Sequence, residues 1–493
     1  MDSILYWNAV AMEANRVSLT DGKGEQPGPV FGARALAIVH LAMYDAYFLI
    51  AGGLPPYLSA PPLATPPAPN LDSAVAGAAH GALHVLFPSQ RAFFDQKLSE
   101  ANLRAPGADF GRSVALRLIQ NRVDKKDGDF TGSTPHAFSA QRGRHRLDPD
   151  NPAQGIYAPL SGRSRLFAAP GPRNQYHLDA PPSPTAGSLG APKYRKALQQ
   201  VRYKGIAPEL AGTLPPVPAG GAGPRTPDET LIGLFWGYDG AAELGTPPRL
   251  YNQIIRQIAI AQNNSAAQNA ELFARVNAAM ADAGILAWAN KYEYDFWRPV
   301  VGIREHDTSF GPEPEKSSND ITNESDPFWL PLGAPATNSL DRKSTLTSEH
   351  YPCNQGSSGS MKNFTPPFPA YPSGHASFGA AAFRATEVFY SNLGKSSADL
   401  VQSLGFVSDE LNGVSRDNKG TIRPRHERRF KDLQHMVIEN GVSRVYLGVH
   451  WVFDAFDTKA DGSPDLTKFV GGVPLGKRIA EQTAAAPLTE SPI

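Results

Sequence analysis

The sequence predicts an all-α protein made of two helical bundles packed together, and three observations lead there. Apolar residues recur at helical spacing in one segment after another along the 493-residue chain. The strict apolar–polar alternation of half-buried strands is scarce, so strands should be few and short. No fixed repeat period is visible, which sets a solenoid aside. A chain of this length can bury one large core or two ordinary ones.

Taken in order, helical periodicity covers 5–16, 32–51, 71–86 and 89–103. Between the second and third lies LPPYLSAPPLATPPAPN (54–70), whose prolines favour a surface connector that wraps rather than folds. From about 124 to 190 the chain is rich in Pro, Gly, Ser and Arg with little period, and a long ordered loop region is expected. PPVPAGGAGPRTPDE (215–229) is the best boundary, dividing an N-terminal unit, 1–214, from a C-terminal one, 229–493. Its glycines lack the strand–turn–helix setting of a nucleotide-binding loop. Beyond it the helical signal strengthens over 229–243, 249–262, 266–296, 375–393, 398–412 and 430–456.

Charge balances at 47 basic against 47 acidic side chains, so bulk electrostatics gives no case for nucleic acid or an anionic membrane as a partner. Cys353 is the only cysteine, which excludes intrachain disulfides and cysteine-based metal clusters. The start, MDSILYWNAVAMEANRV, lacks the basic n-region, apolar h-region and small-residue cleavage site of a secretory signal. The most apolar long stretch, 30–54, carries Arg34, His40 and Asp45 and is too polar for a lipid-exposed span. A soluble protein is expected, cytoplasmic or secreted by a route the sequence does not display. Its oligomeric state is left open.

Chemistry concentrates in three clusters of the second half. In PPFPAYPSGHASFGAAAFRATEVFYSNL (366–393), stiff prolines run into Pro372-Ser373-Gly374-His375 and an alanine-rich helix follows. Ser373 is a good N-cap and Gly394 sits where a C′ glycine belongs. The first turn directs unpaired N–H groups and a positive dipole end at whatever precedes it. Gly374 lets a bound group approach the backbone, and His375 can exchange a proton near neutral pH. Together they make a cradle for a tetrahedral oxyanion.

The second cluster is KYEYDFWRP (291–299), where Lys291 and Arg298 are seven apart and nearly on one helical face. Pro299 should end that helix at Arg298 and present the guanidinium at its tip. The third, SRVYLGVHWVFD (443–454), puts His450 and Asp454 four apart on a helix. The carboxylate can then hold the outer imidazole nitrogen and make the inner one a better ligand or nucleophile. Taken alone, each cluster also reads as something ordinary: a solvated Lys/Arg face, an N-capped helix, a polar helix surface.

Jointly they do not. The combination K-x6-R-P, P-S-G-H and S-R-x5-H-x3-D resembles the signature shared by vanadium-dependent haloperoxidases, type 2 phosphatidic acid phosphatases and bacterial acid phosphatases. Longer blocks, among them WGYDG (236–240), GTPPRLYNQI (245–254), DPFWLPLGAPATN (326–338) and YLGVHWVFDA (446–455), are similar to the fungal-type vanadium chloroperoxidases. The resemblance implies two four-helix bundles and a vanadate cofactor whose metal is bonded to His450, a site that phosphate can also fill. It assigns Lys291, Arg298, Ser373, Gly374 and Arg444 to oxyanion binding and His375 to acid–base work beside the apical oxygen. Asp239 corresponds to the carboxylate that holds Arg444, and Asp454 is the one that holds His450. Trp288 and Phe368 match the aromatic wall where halide sits. Chloroperoxidases of the family carry Phe at the place of Phe368 and bromoperoxidases typically His.

The implied reaction is oxidation of chloride or bromide by hydrogen peroxide to hypohalous acid, through a peroxovanadate intermediate and without a change of vanadium valence. His375 takes a proton, Lys291 polarises the bound oxidant, and a diffusible or organic acceptor is halogenated. Two departures from the fungal pattern leave the acceptor open: an insertion at 339–365 carrying His350 and Cys353, and a shorter 456–470 segment.

Weaker signals remain. His80 and His84 are four apart, but no third ligand is apparent, and an ordinary helix surface is expected. RPRHERRF (423–430) is expected to be a solvated or ion-paired loop. The rival functions are an acid phosphatase with His450 as the phosphorylated nucleophile, and a non-catalytic anion binder.

Overall fold

Fourteen α-helices and one two-stranded ribbon form among the described residues of the computed structural model. Those residues are 2–20, 23–59, 70–101, 107–122, 130–131, 134–185, 187–239, 244–307, 325–335, 364–415 and 422–491. The first five helices are α1 (Ser3–Thr20), α2 (Gly28–Ala51), α3 (Leu71–Leu86), α4 (Arg91–Glu100) and α5 (Ala108–Arg122). α6 (Ala191–Lys204), α7 (Pro227–Phe235), α8 (Pro247–Ala261), α9 (Ala266–Tyr294) and α10 (Pro299–Arg304) follow. The chain closes with α11 (Gly374–Ser391), α12 (Leu433–Tyr446), α13 (Val452–Ala455) and α14 (Gly472–Ala484). Between the last two, β1 (Asp457–Thr458) and β2 (Pro464–Asp465) pair antiparallel. The all-α expectation holds.

Several boundaries differ from the periodicity. Residues 398–412 form turns and one short 3₁₀ segment instead of a helix. Phe406 exchanges backbone hydrogen bonds with Arg428 there, so a tertiary pairing overrides the local pattern. The expected helix 430–456 is broken: α12 stops at Tyr446, and Gly448 takes a φ of +73° with its Cα against the carbonyl of Gly205. A Cβ at Gly448 would lie 2.4 Å from that oxygen, so only glycine fits this turn. The helix expected at 229–243 ends at Phe235. α5, α6, α10 and α14 have no counterpart among the expected helices. α6, α10 and α14 open with proline in the first turn, where it starts a helix but reads as a breaker.

Within 124–190 the described residues carry only two 3₁₀ turns, Ser161–Arg163 and Arg173–Tyr176, in agreement with a long ordered loop. The insertion 339–365, with His350 and Cys353, lies outside the described residues except for Phe364 and Thr365.

α2 packs on α3 and α9, α3 packs on α5, and α11 lies against α9, α12 and α14. One continuous buried core takes in Trp7 and Leu36 from the first part and Trp288, Phe383 and Trp451 from the second. α6 precedes the expected boundary yet packs on α10, α12 and α13. A buried polar ladder sets the register of four helices: Asn8 on α1 meets His40 on α2 and Asn252 on α8, and Asn252 pairs with Asn277 on α9.

α2 is long and apolar enough to cross a membrane, but 83% of its most apolar window is buried against its neighbours. Its polar side chains are engaged inside the protein, Arg34 with Gln26 and Asp45 with the N–H groups of Tyr57 and Leu58.

Candidate active site

The three sequence clusters meet in one buried place. Ser373 caps α11 and accepts a 3.4 Å hydrogen bond from the Ala376 N–H. Gly374 and His375 therefore open that helix, where amide N–H groups are exposed to a ligand. A Cβ on Gly374 would come within 3.2 Å of the Trp288 ring, so the bare backbone is what leaves a hollow there. The carbonyl of His375 accepts from Tyr251 Oη at 3.2 Å and Asn440 Nδ2 at 2.8 Å, which fixes this first turn.

Arg298 does not end the helix that carries Lys291. α9 finishes at Tyr294 with Asp295 in a left-handed conformation at φ +48°, and Arg298 becomes the N-cap of α10. Pro299 is responsible, since it holds the preceding residue in extended backbone. Arg298 donates from Nε to the Phe368 carbonyl at 2.9 Å and from Nη1 to the Val449 carbonyl at 2.8 Å. Lys291, fully buried, donates from Nζ to the carbonyls of Pro369 at 2.8 Å and Ala370 at 3.0 Å. An ammonium has three donors, so one remains.

His450 lies in the turn between α12 and α13 rather than on a helix, yet the expected pairing survives. Its Nδ1 is 2.7 Å from Asp454 Oδ2, which also accepts from the Trp451 N–H at 3.0 Å. Its Nε2 is 2.9 Å from Arg298 Nη1. A guanidinium can only donate, so Nε2 is the acceptor and the ring proton sits on Nδ1. The lone pair of Nε2 thus faces the cage. The backbone carbonyl of Asp454 accepts from the Ser373 N–H at 2.8 Å and ties this turn to the start of α11.

Arg444, on α12, holds Asp239 through Nη2 at 2.9 Å from Oδ1 and 2.7 Å from Oδ2. Its Nε and Nη1 are buried without a hydrogen-bond partner, and so is His375 Nε2. The nearest carboxylate oxygen to that nitrogen, Asp239 Oδ1, is 3.9 Å away, too far for a hydrogen bond. Three cationic side chains, Lys291, Arg298 and Arg444, are thus buried with two carboxylates, Asp239 and Asp454.

The electrostatics follow from that burial. Burial and then the Arg298 charge push Lys291 well below the usual lysine range. Burial and then Arg444 push His375 well below the usual histidine range, and burial and then Arg298 do the same for His450. Burial raises the Asp454 carboxyl to about 7 against the pull of Lys291 and Arg298. Lys291, His375 and His450 are thus pushed toward neutrality, which a bound anion would relieve. A tetrahedral oxyanion fits this set: the unpartnered Nε–H and Nη1–H of Arg444 and the bare backbone at Gly374 can donate to its oxygens, and the Nε2 lone pair of His450 can bond a metal at its centre.

Trp288 and Phe368 stand beside the cage with ring centroids 4.8 Å apart. Tyr157, which no motif singled out, completes the wall at 5.8 Å from each of them. It comes from the Pro/Gly-rich loop region, and a backbone hydrogen bond to Pro367 holds it there. Local spacing gives no signal for such a residue. Tyr251 and Asn440 were missed for the same reason.

Comparison with known proteins decides the kinship. A model of the vanadium chloroperoxidase N-terminal domain matches residues 1–157, and one of the second helical-bundle domain of these enzymes matches 271–464. The vanadium chloroperoxidase of Curvularia inaequalis is 32% identical, over 95% of this chain and 82% of that protein. The chain belongs to the vanadium haloperoxidase family. Solved haloperoxidase structures share its fold. The first bacterial vanadium-dependent iodoperoxidase superposes with a TM-score of 0.62 at 17% identity, over 97% of both chains. A holo-type bacterial vanadium-dependent chloroperoxidase gives 0.55 at 14% identity, over 93% of this chain and 91% of that one. Haloperoxidases with different halides in their names therefore surround this chain.

Proposed function

We propose that the protein is a vanadate-dependent chloroperoxidase that uses hydrogen peroxide to oxidise chloride, and bromide more readily, to hypohalous acid. The observation that carries this reading is the Nε2 lone pair of His450, fixed by Asp454 and aimed into a cage of Lys291, Arg298 and Arg444. In this reading His450 is the metal ligand. Arg298, Arg444, Ser373 and the Gly374 N–H hold the oxo groups, and Asp239 orients Arg444. Bound vanadate supplies Lewis-acid activation of the peroxide without changing valence.

The chain's own groups do the rest. His375, neutral because of its buried cationic surroundings, accepts a proton at Nε2 from incoming peroxide and returns it later. Lys291 offers its remaining N–H to the oxidant and draws electron density from the oxygen that the halide attacks. Trp288, Phe368 and Tyr157 exclude water from that side. Phe368 supports the chloride assignment, since an apolar ring there keeps the oxidant dry and harder to tame.

The test is halogenation of monochlorodimedone by metal-stripped protein with peroxide and either halide, before and after orthovanadate. Vanadate-dependent loss of dimedone absorbance with chloride is expected. Activity with bromide alone would remove the chloride assignment. Brisk phosphate ester hydrolysis, blocked by vanadate and without halogenation, would replace the whole reading by a phosphatase.

A further inference from the structure

Far from these residues in sequence, α3 carries His80 and His84 one turn apart. The structure supplies the third ligand that their spacing alone did not reveal. Asp95, on α4, lies where both imidazoles point: its Oδ1 is 2.8 Å from His80 Nε2 and 2.9 Å from His84 Nε2. All three ligating atoms lie within 4.8 Å of one another.

This is a two-imidazole, one-carboxylate set with the same ring nitrogen of each histidine converging on one oxygen. Donors around a tetrahedral ion of the zinc class, each about 2.0–2.2 Å from it, stand about 3.3 Å apart. The two nitrogen–oxygen contacts have hydrogen-bond lengths, so an ion that displaces their protons needs the three side chains to part by only about 0.5 Å. The rings are packed with centroids 4.0 Å apart, a closeness that suits two neutral imidazoles and disfavours two imidazolium ions. His80 Nδ1 is buried with no hydrogen-bond partner, so the contact of Nε2 with Asp95 is what orients this ring toward the carboxylate. Exposure rises from 5% for the His80 side chain through 26% for His84 to 61% for Asp95. The set is thus open to solvent on its carboxylate side, which gives an ion a way in and leaves room for water as a fourth ligand.

We propose that His80, His84 and Asp95 form a site for one divalent transition-metal ion of the zinc class, separate from the oxyanion cage, which staples α4 to α3. Two imidazoles select zinc, cobalt or nickel over magnesium or calcium, which prefer all-oxygen ligands. The ion bridges helices joined by only a short turn, so it stiffens their docking and takes no part in halide oxidation.

The experiment uses full-length, vanadate-loaded protein dialysed against Zn2+, with bound metal counted and the thermal midpoint recorded. The variants are His84→Ala and Asp95→Asn, both at partly exposed positions, so neither opens a core cavity. One equivalent of zinc and a raised midpoint are expected for the parent protein. Changes in the groups that merely support metal ligands cost about 10–100-fold in affinity, so losing a ligand should weaken zinc binding at least tenfold in each variant and abolish the midpoint shift. Halogenation should be unchanged in both. No zinc uptake by the parent protein, or equal uptake by the parent and both variants, overturns the site.

Discussion

The ring of Phe368 sits 4.8 Å from the Arg298 guanidinium carbon and 5.0 Å from Lys291 Nζ, so two buried cations face an apolar surface. Replacing it by histidine puts a polar, hydrateable group beside these cations. Phe368→His should lower chloride turnover relative to bromide by about tenfold, equivalent to about 1.4 kcal/mol in the barrier. Halogenation rates with the two halides measure this, and an unchanged ratio would free Phe368 of any selectivity role. His375 poses a different question, whether the cage binds or also reacts. His375→Ala should cut turnover by about a hundredfold or more, the usual worth of a positioned acid–base group. Vanadate affinity should change only a few-fold, since Nε2 has no structural partner to lose; equal losses in both would make His375 a binding residue only. His375 and the cage cations were legible because anion chemistry needs rare side chains at fixed offsets, and three short words contain them; Phe368 was legible only through the family resemblance. Tyr157, Tyr251 and Asn440 were not, because their places are set by tertiary contacts that leave no local spacing.

At the level of elements, most long helices could be read, but α5, α6 and α14 could not, nor could the interruptions. α9 shows why the first part worked. Ser265 caps it reciprocally with Gln268, through bonds of 3.3 and 2.8 Å, and an uninterrupted apolar pattern carries it to Lys291. Ser265→Ala should cost about 1 kcal/mol of stability, read as a lower denaturation midpoint, with little effect on halogenation because the cap lies at the other end of the helix. Where the chain instead turns on a glycine, as at Gly448, or pairs its backbone at a distance, as Phe406 does with Arg428, periodicity misleads. The basic run 423–430 was legible as a loop: Arg428 pairs with Glu439 and Asp228, and Arg423 with Glu410. α2 carries a pH-sensitive contact. Burial raises the Asp45 carboxyl to about 7, from an ordinary value of 3.8. A group bound more tightly to its proton in the folded state contributes stability that is complete below the ordinary value and is lost as pH rises through the folded one. The parent protein should therefore lose up to about 1 kcal/mol per pH unit from this group between pH 4 and 7. Asp45→Asn has no proton to lose there, so unfolding midpoints at pH 5 and pH 8 should show the variant gaining on the parent as pH rises. A constant gap between them would place the Asp45 carboxyl at an ordinary pKa.

For the molecule as a whole, the cage exists only when the chain is folded. Its groups come from the turn after α7 (Asp239), the end of α9 (Lys291), the head of α10 (Arg298), the start of α11 and both sides of the α12–α13 turn. An unfolded chain cannot bring them together, so an oxyanion binds the native state almost exclusively and its binding free energy becomes folding free energy. The same burial keeps Lys291, His375 and His450 under electrostatic pressure, which a negative ligand relieves. Orthovanadate added to stripped protein should therefore raise the thermal midpoint, by an amount that grows with the logarithm of its concentration. At a hundred times its dissociation constant the gain is about 2.7 kcal/mol, or a few degrees for a chain of this size. Phosphate, also tetrahedral and a good acceptor but with no metal centre, should give a smaller shift in the same direction if the proposed bond to His450 forms. Perchlorate, tetrahedral but singly charged and a poor acceptor, should give almost none at equal ionic strength. Scanning calorimetry with the three anions separates the outcomes. Equal shifts from all three would mean general ionic stabilisation, and the cage would then have no selective hold on its anion.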